Sequence, residues 1–306
     1  MDARRLRYFA AVVDQGGFAQ AAAALHVTQP AISMAVRRLE EELGHVLLER
    51  NVKPMTLTGF GRAVHQSWQV HASEHQRLVR ELRGMADLNA GQVSLVIGAT
   101  FPLRPVVSAL EALRRNFPGF RLSITMGTYT GNLQMVIDGT ADLILSQLPA
   151  RGPDPRFNHE PLIFDCFHAV CRHSHPLASQ AEVSWEDLLR YPWSAGGPFD
   201  AFLAGWSDAF AAHGVTAPVP VLHTTSTVAT MAALVEHDYL AMLPIGCIAK
   251  ELASGFIKVL PVSGLKWPQE KGASWLATRA LSPAAMAYMK ELRLQLEQMP
   301  GGDASA

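Results

Sequence analysis

The stretch from about residue 59 to about residue 88 constrains this chain most. It contains no proline, and Phe60, Val64, Trp68, His71, His75, Leu78, Leu82 and Met85 recur at spacings of 4, 4, 3, 4, 3, 4 and 3. That approximates a heptad seam over about four heptads. Gly84 and Asn89-Ala90-Gly91 weaken and end it. About thirty residues without a break, apolar along one stripe, favour a partner helix over packing inside a single domain. His71 and His75 make it an impure zipper, and they are expected at its edge with solvent access. The patterns on either side of the seam differ.

Before the seam lie short helices with one apolar face each. Leu6, Phe9 and Val13 carry the first, which Gly16-Gly17 stops. Phe18, Ala21, Ala22 and Leu25 carry the second. Thr28 is a good N-cap for a third, where Pro30 is tolerated in the first turn and Ile32, Val36, Leu39 and Leu43 point inward until Gly44. The tight break at Leu25-His26-Val27 makes this a helix-turn-helix pattern. Val46–Arg50 and Met55–Thr58, around a turn at Asn51–Pro54, read as a small two-stranded wing.

After Gly91 the chain alternates strand and helix. Val93–Ile97, Phe120–Met126 and Asp142–Leu145 read as strands, with helices near Leu103–Asn116 and Gly131–Asp138. That order implies parallel pairing with right-handed crossovers. A second block follows. Leu162–Cys171, Val219–His223, Leu240–Leu243, Ile257–Leu260 and Ser274–Thr278 read as strands. Helices are expected near Trp185–Leu189, Asp200–Ala212, Thr227–Glu236 and Pro283–Leu296. The fold class is α/β: a winged helix-turn-helix, a long linker helix and a two-lobed α/β domain.

Composition narrows the classes. The 306 residues are 49% hydrophobic, enough for two or three cored domains. No run of 18 apolar residues suggests a membrane span. The first residues lack a signal-peptide core. Three cysteines are too few and too odd in number for a disulfide framework. A cytoplasmic location is expected.

The residue run Leu6-Arg7-Tyr8-Phe9, Phe18-Ala19-Gln20-Ala21 through Gln29-Pro30-Ala31-Ile32-Ser33, Arg37-Arg38-Leu39-Glu40-Glu41-Glu42-Leu43-Gly44, Leu48-Glu49-Arg50 and Leu57-Thr58 is long and ordered. It resembles the LysR-type transcriptional regulators. Asn116-Phe117-Pro118-Gly119, Gly139-Thr140-Ala141-Asp142-Leu143-Ile144-Leu145 and His175-Pro176-Leu177-Ala178 are similar to that family's regulatory domain. The resemblance covers about residues 1–298. It implies a DNA-binding domain over 1–58, a dimerising linker helix over 59–91 and an effector domain over 92–298 resembling periplasmic binding proteins. The lobes would be 92–161 plus 269–298, and 162–268, with a flexible tail at 299–306. Tetramers built from dimers, and RNA polymerase as a further partner, are implied by the resemblance alone. Met34 and Ala35 after the recognition-helix serine, and Gly59-Phe60-Gly61 after the wing, depart from the usual pattern.

The candidate DNA contacts are Thr28, Gln29, Pro30, Ser33, Met34, Arg37 and Arg38 on the outer face of the third helix, with Arg50 and Lys53 beside the wing. Gln29 offers a paired donor and acceptor to an adenine edge, and Pro30 and Met34 suit a thymine methyl. Ser33 reaches a base or a phosphate, while Arg37 and Arg38 position the helix on the backbone. The plainer reading of these arginines pairs them with Glu41 and Glu42 at i+4. Dimerisation would place two such helices about 34–36 Å apart, or a multiple of that, on an inverted-repeat operator.

The candidate effector contacts lie at helix starts: Thr100 and Phe101, Thr128, Tyr129 and Thr130, and Thr225, Ser226 and Thr227. Hydroxyls and free amides at several helix starts suit a small anion, here an organic acid. Phe101, Pro198 and Phe199 would form an apolar wall. Each Thr alone reads as an ordinary N-cap.

Two rival classes are weaker. An enzyme finds no GxSxG, P-loop, GxGxxG after a strand or HExxH. A free-standing solute-binding protein is at odds with the helix-turn-helix. Cys166, His168, Cys171, His173 and His175 cluster in sequence but without metal-ligand spacing, and no cofactor or metal is expected. Splitting the net charge of −1 leaves +2 on residues 1–91, from 11 basic against 9 acidic residues, and −3 on the rest. Few cations face a backbone, so non-specific DNA affinity should be modest.

Overall fold

The structure is a computed structural model that describes residues 2–49, 55–149, 153–196, 199–265 and 267–299. The chain divides into two compact units, Met1–Val79 and Arg80–Ala306.

The first unit is built on α1 (Ala3–Asp14), α2 (Phe18–Leu25) and α3 (Gln29–Leu43), then β1 (Leu48–Glu49) and β2 (Thr56–Leu57). Gly44 stops α3 in the left-handed region, and His26 takes the same conformation (φ 53°) to turn the chain between α2 and α3. Leu6, Phe9, Val12, Ile32, Val36, Leu39, Leu47 and Leu48 form one core with Ala21 and Ala22. Val12 takes the fully buried place, and Val13 packs at the margin. β1 and β2 pair antiparallel, Leu48 opposite Leu57, as the wing pattern predicts.

α4 (Gly59–Ala86) follows without interruption. Its first turns carry Val64 and Trp68 onto the first-unit core, and His65 bonds Asp14 at 2.8 Å. Gly61 sits so close to the Leu47 carbonyl that a Cβ would lie 2.1 Å from that oxygen. A side chain at position 61 is therefore excluded by backbone contact, whereas Gly59, which follows Leu57-Thr58 directly, has open space beside it.

The second unit contains β3 (Gln92–Ile97), α5 (Leu103–Asn116), β4 (Arg121–Met126), α6 (Tyr129–Ile137), β5 (Leu143–Gln147), β6 (Phe157–Arg172), α7 (Trp185–Leu188) and β7 (Trp193–Ala195). It continues through α8 (Phe199–Ala211), β8 (Leu222–His223), α9 (Thr227–Glu236), β9 (Leu240–Pro244), α10 (Ile245–Ala253), β10 (Ile257–Val259), β11 (Trp267–Leu276) and α11 (Pro283–Glu297). The strands form one sheet in the order β4-β3-β5-β11-β6-β9-β7-β8, with β10 also on β6. β4-β3-β5 are parallel, as the element order requires, and β11 and β6 run antiparallel through the middle. The anticipated lobe limits at 161/162 and 268/269 fall inside β6 and β11, which pass through without a break.

Each face of the sheet carries its own core, as strand alternation demands. Val93, Leu95, Ile97, Leu143 and Leu145 pack under α5 and α11, while Val96 and Ile144 face α6. Toward the other end, Phe167, Ala169, Leu240 and Met242 meet Trp193, Trp206 and Phe210. Val170, Ala241 and Leu243 meet Ile248 and Leu234 on the opposite face.

Several readings change; β7 was not expected, and β6 starts at Phe157 rather than Leu162. The strand expected over Val219–His223 shrinks to Leu222–His223, because Pro220 has no N–H for a ladder and Val219 and Val221 are exposed. β11 starts at Trp267, well before Ser274; the polar run Gln269-Glu270-Lys271 hides that start from a hydrophobicity pattern. Met299, assigned to the tail, packs on the first-lobe core, and residues 300–306 lie outside the described residues.

Candidate nucleic-acid interface and ligand cleft

In α3 the positions at 32, 36 and 39 are fully buried, so the opposite face is set by helical geometry. Thr28, Gln29, Pro30, Met34, Arg37 and Arg38 are exposed there, and Ser33 is half-buried. Thr28 occupies the N-cap with extended backbone, but its side chain makes no capping bond. Arg37 Nε donates to Glu41 Oε1 at 3.0 Å, as the plainer i+4 reading predicts. Both groups are well exposed, so the pair is weak in water and exchangeable for a phosphate. Arg38 does not pair with Glu42, whose Oε2 instead accepts from Arg5 Nη1 at 2.7 Å. Arg38 is left without an ion pair among the described residues.

The base of the wing is tied to α3. Glu40 Oε1 accepts from the backbone amides of Leu47 and Leu48 at 2.9 and 3.4 Å. Thr58 caps α4: its Oγ1 accepts from Gly61 N at 3.0 Å and donates to Val46 O at 2.8 Å. Arg50 and Lys53, expected beside the wing turn, lie outside the described residues. Along α4, Phe60, Leu78, Leu82 and Met85 are all at least half exposed, and His71 and His75 are exposed with them.

In the second unit the strand ends bring several predicted hydroxyls to one edge of the sheet. Gly98-Ala99-Thr100 ends β3, and Gly127-Thr128 ends the neighbouring β4, held by Gly127 N donating to Ile97 O at 2.9 Å. Thr128 caps α6, accepting from Gly131 N at 3.1 Å. Ser226 caps α9, accepting from Ala229 N at 3.2 Å. Thr227 Oγ1 donates to Ala99 O at 3.1 Å, which brings the start of α9 against the loop that leads into α5. Thr130 and Thr225 are exposed, and Thr100 is half-buried.

Two of the expected effector contacts are placed differently. Phe101 is only 2% exposed and belongs to the first-lobe core with Val106 and Met289, so it presents no surface to a ligand. Tyr129 turns onto the α6 face of the sheet beside Phe157 and His159, ring centroids 6.4 and 6.0 Å away. Burial there raises its pKa. Pro198 lies outside the described residues, as does the side chain of Phe199, which opens α8.

Sequence reasoning missed the polar cluster beneath Thr100. Lys271 Nζ donates to Asp165 Oδ2 at 2.8 Å and to Thr100 O at 2.7 Å, and the thiol of Cys247 donates to the same carbonyl. Lys271 is completely buried. The only signal was a carboxylate inside the apolar run Leu162–Cys171 and an ammonium in a strand-like stretch. Burial raises Cys247 to about 11 and Cys171 to about 12, so both thiols are protonated and inert. Among the described residues no three His, Cys, Asp or Glu side chains gather into a metal site. His175 instead caps the turn at Pro176–Ser179, its Nδ1 accepting from Leu177 N at 3.1 Å. No helix among the described residues is long and apolar enough to cross a membrane.

A winged helix-turn-helix with an open polar face, followed by a long helix and a two-lobed α/β unit, defines a ligand-responsive transcription regulator. Two family descriptions match the chain: the bacterial regulatory helix-turn-helix protein of the lysR family over residues 3–62, and the LysR substrate binding domain over residues 86–297. The chain belongs to the LysR family of transcriptional regulators, which are regulators and not enzymes. It is 30% identical over 292 residues to the SDS degradation transcriptional activation protein of Pseudomonas sp. (strain ATCC 19151), covering 94% of each chain. It is 26% identical over 292 residues to the regulator GbpR of Azospirillum brasilense, covering 95% of this chain and 85% of that one. Among solved structures it is similar to the LysR family regulator CbnR, with TM-score 0.71, 21% identity and coverage of 97% and 99%. CbnR in complex with its target DNA is equally similar, with TM-score 0.71, 21% identity and coverage of 96% and 100%.

Proposed function

We infer that this regulator binds an inverted-repeat operator as a homodimer and answers to an organic acid held between the lobes. The DNA reading rests on the open face of α3, where Thr28, Gln29, Pro30 and Met34 are exposed and Arg38 is unpaired among the described residues. Gln29, Pro30, Ser33 and Met34 read bases, and Arg37 and Arg38 fix the helix on the phosphates. Arg50 and Lys53 add phosphate contacts from the wing. The solvent-facing stripe Phe60, Leu78, Leu82 and Met85 on α4 supports a helix–helix dimer. Tetramers of such dimers and contact with RNA polymerase complete the assembly on cytoplasmic DNA. The working division is DNA binding over 1–58, dimerisation over 59–91 and effector binding over 92–298.

The effector reading rests on the meeting of Ala99-Thr100 with Thr227 across the cleft. Thr100, Thr128, Thr225 and Ser226 offer hydroxyls and helix-start amides to a carboxylate. A melting-shift screen of organic acids against the full chain tests this. At least one acid raises the melting temperature, and Thr100→Val abolishes the shift. A screen without any shift, or a shift that survives Thr100→Val, removes the assignment. Footprinting on the DNA flanking the gene tests the first half, with protection expected over two half-sites.

A further inference from the structure

Ala99 and Thr100 form the loop between β3 and α5, and both their carbonyls are taken by side chains from elsewhere. Thr227, at the start of α9, donates to Ala99 O at 3.1 Å. Cys247, in the first turn of α10, donates its S–H to Thr100 O. Lys271 of β11 donates to the same oxygen at 2.7 Å while pairing with Asp165 of β6 at 2.8 Å. α9 and α10 pack on the second-lobe core of Val170, Leu234, Leu243 and Ile248. The β3–α5 loop borders the separate core of Ile97, Phe101 and Val106. Among the described residues the two cores share no buried cluster at the loop; only Pro102 and Met299 bring apolar atoms near Gly246 of α10, so polar bonds supply most of what joins the lobes there. The approach is close: a Cβ on Gly246, next to Cys247, would lie 3.2 Å from Asp165 Oδ2.

The three donors differ in strength. A fully buried ammonium that bonds a carbonyl and a carboxylate is charge-assisted and cannot let go without an unpaired desolvated charge. A hydroxyl and a thiol bond neutral carbonyls and exchange readily with water or a ligand. We propose that Lys271, Cys247 and Thr227 form a latch that holds the two lobes together at the Ala99–Thr100 loop without any ligand. Lys271–Asp165 is its fixed anchor, and Thr227 and Cys247 are its releasable arms. Lys271 and Asp165 are positioning residues, and the latch stands whichever compound the cleft takes.

Amide hydrogen exchange of the full chain, read by mass spectrometry, tests it. The loop amide of Phe101 is protected by its bond to Gly98 O at 2.9 Å, and β3 and β9 report the two lobe cores. The double variant Thr227→Val/Cys247→Ala keeps the ion pair and both apolar cores. Its loop peptide, residues 98–103, exchanges about tenfold faster than wild type, with β3 and β9 unchanged, because only a local opening is favoured. A loop that exchanges at the wild-type rate overturns the latch. So does equal acceleration in β3 and β9, which marks a merely structural role. Asp165→Leu/Lys271→Met, which removes both charges, accelerates the loop further still; a loop protected as in wild type removes Lys271 as the anchor.

Discussion

Two ion pairs, one in each unit, use charge in opposite ways. On α3, Arg37 and Glu41 pair in full solvent, and Arg38 has no ion pair among the described residues. In the second unit Lys271 and Asp165 pair with almost no solvent contact. An exposed pair costs little to make or break, so its arginine is available to another anion. A buried pair holds its geometry because losing one partner strands the other in a low-dielectric interior. The surface that must meet changing partners keeps its charges exchangeable. Where β6 and β11 cross between the lobes, the Lys271–Asp165 pair is locked away, unlike the partly exposed pairs of Glu160 and Arg172 on β6.

The largest effect separates these two uses directly. Lys271→Met leaves Asp165 buried and unpaired, and should cost about 3–5 kcal/mol in the urea unfolding of the second unit. Adding Asp165→Leu should return most of that loss. If the single variant unfolds like wild type, the contrast between buried and exposed charge fails. Gly61→Ala comes next. Its Cβ meets the Leu47 carbonyl, which is backbone and yields poorly, so about 1–3 kcal/mol should be lost from the first unit's thermal transition. The second unit's transition should stay put.

Arg38→Ala should leave both transitions unchanged while weakening DNA binding at every sequence tested. The slope of log K against log salt should fall by about one unit in a titration series. An unchanged slope would mean that Arg38 is an ordinary solvated charge. The smallest effect concerns His175, whose pKa burial lowers. The folded state keeps this ring neutral, while the unfolded chain takes up a proton near its ordinary value of about 6.5. Stability is therefore present above that value and lost as pH falls through it toward the lower folded pKa. His175→Asn, which keeps an acceptor for Leu177 N, should flatten this acid-side decline in melts between about pH 7 and pH 5.

Much of the architecture was legible because periodicity and caps are local. α5 and α9 begin and end where the spacing and the Ser226-Thr227 start put them. The outer face of α3 follows from the burial of Ile32, Val36 and Leu39. The cleft was legible only in part. Thr128 and Ser226 do cap helices, and Thr227 reaches the Ala99 carbonyl, but Phe101 sits in the core and Tyr129 faces away. A residue one step along a loop turns through a large angle, and no local pattern records which way. The Glu42–Arg5 bond was equally hidden, since it spans 37 positions and displaces the nearer i+4 partner.

By itself the sequence determined the order of parts: helix-turn-helix, wing, long helix and α/β unit. Each of these rests on interactions between residues a few positions apart, and such interactions leave a period in the sequence. Only the tertiary structure decided that β6 and β11 run unbroken through the middle of one sheet. Only the tertiary structure decided, too, that Lys271 and Asp165, 106 positions apart, meet under Thr100. Burying a charge is unfavourable anywhere until its partner is in place, and the partner is supplied by the fold rather than by the neighbouring residues.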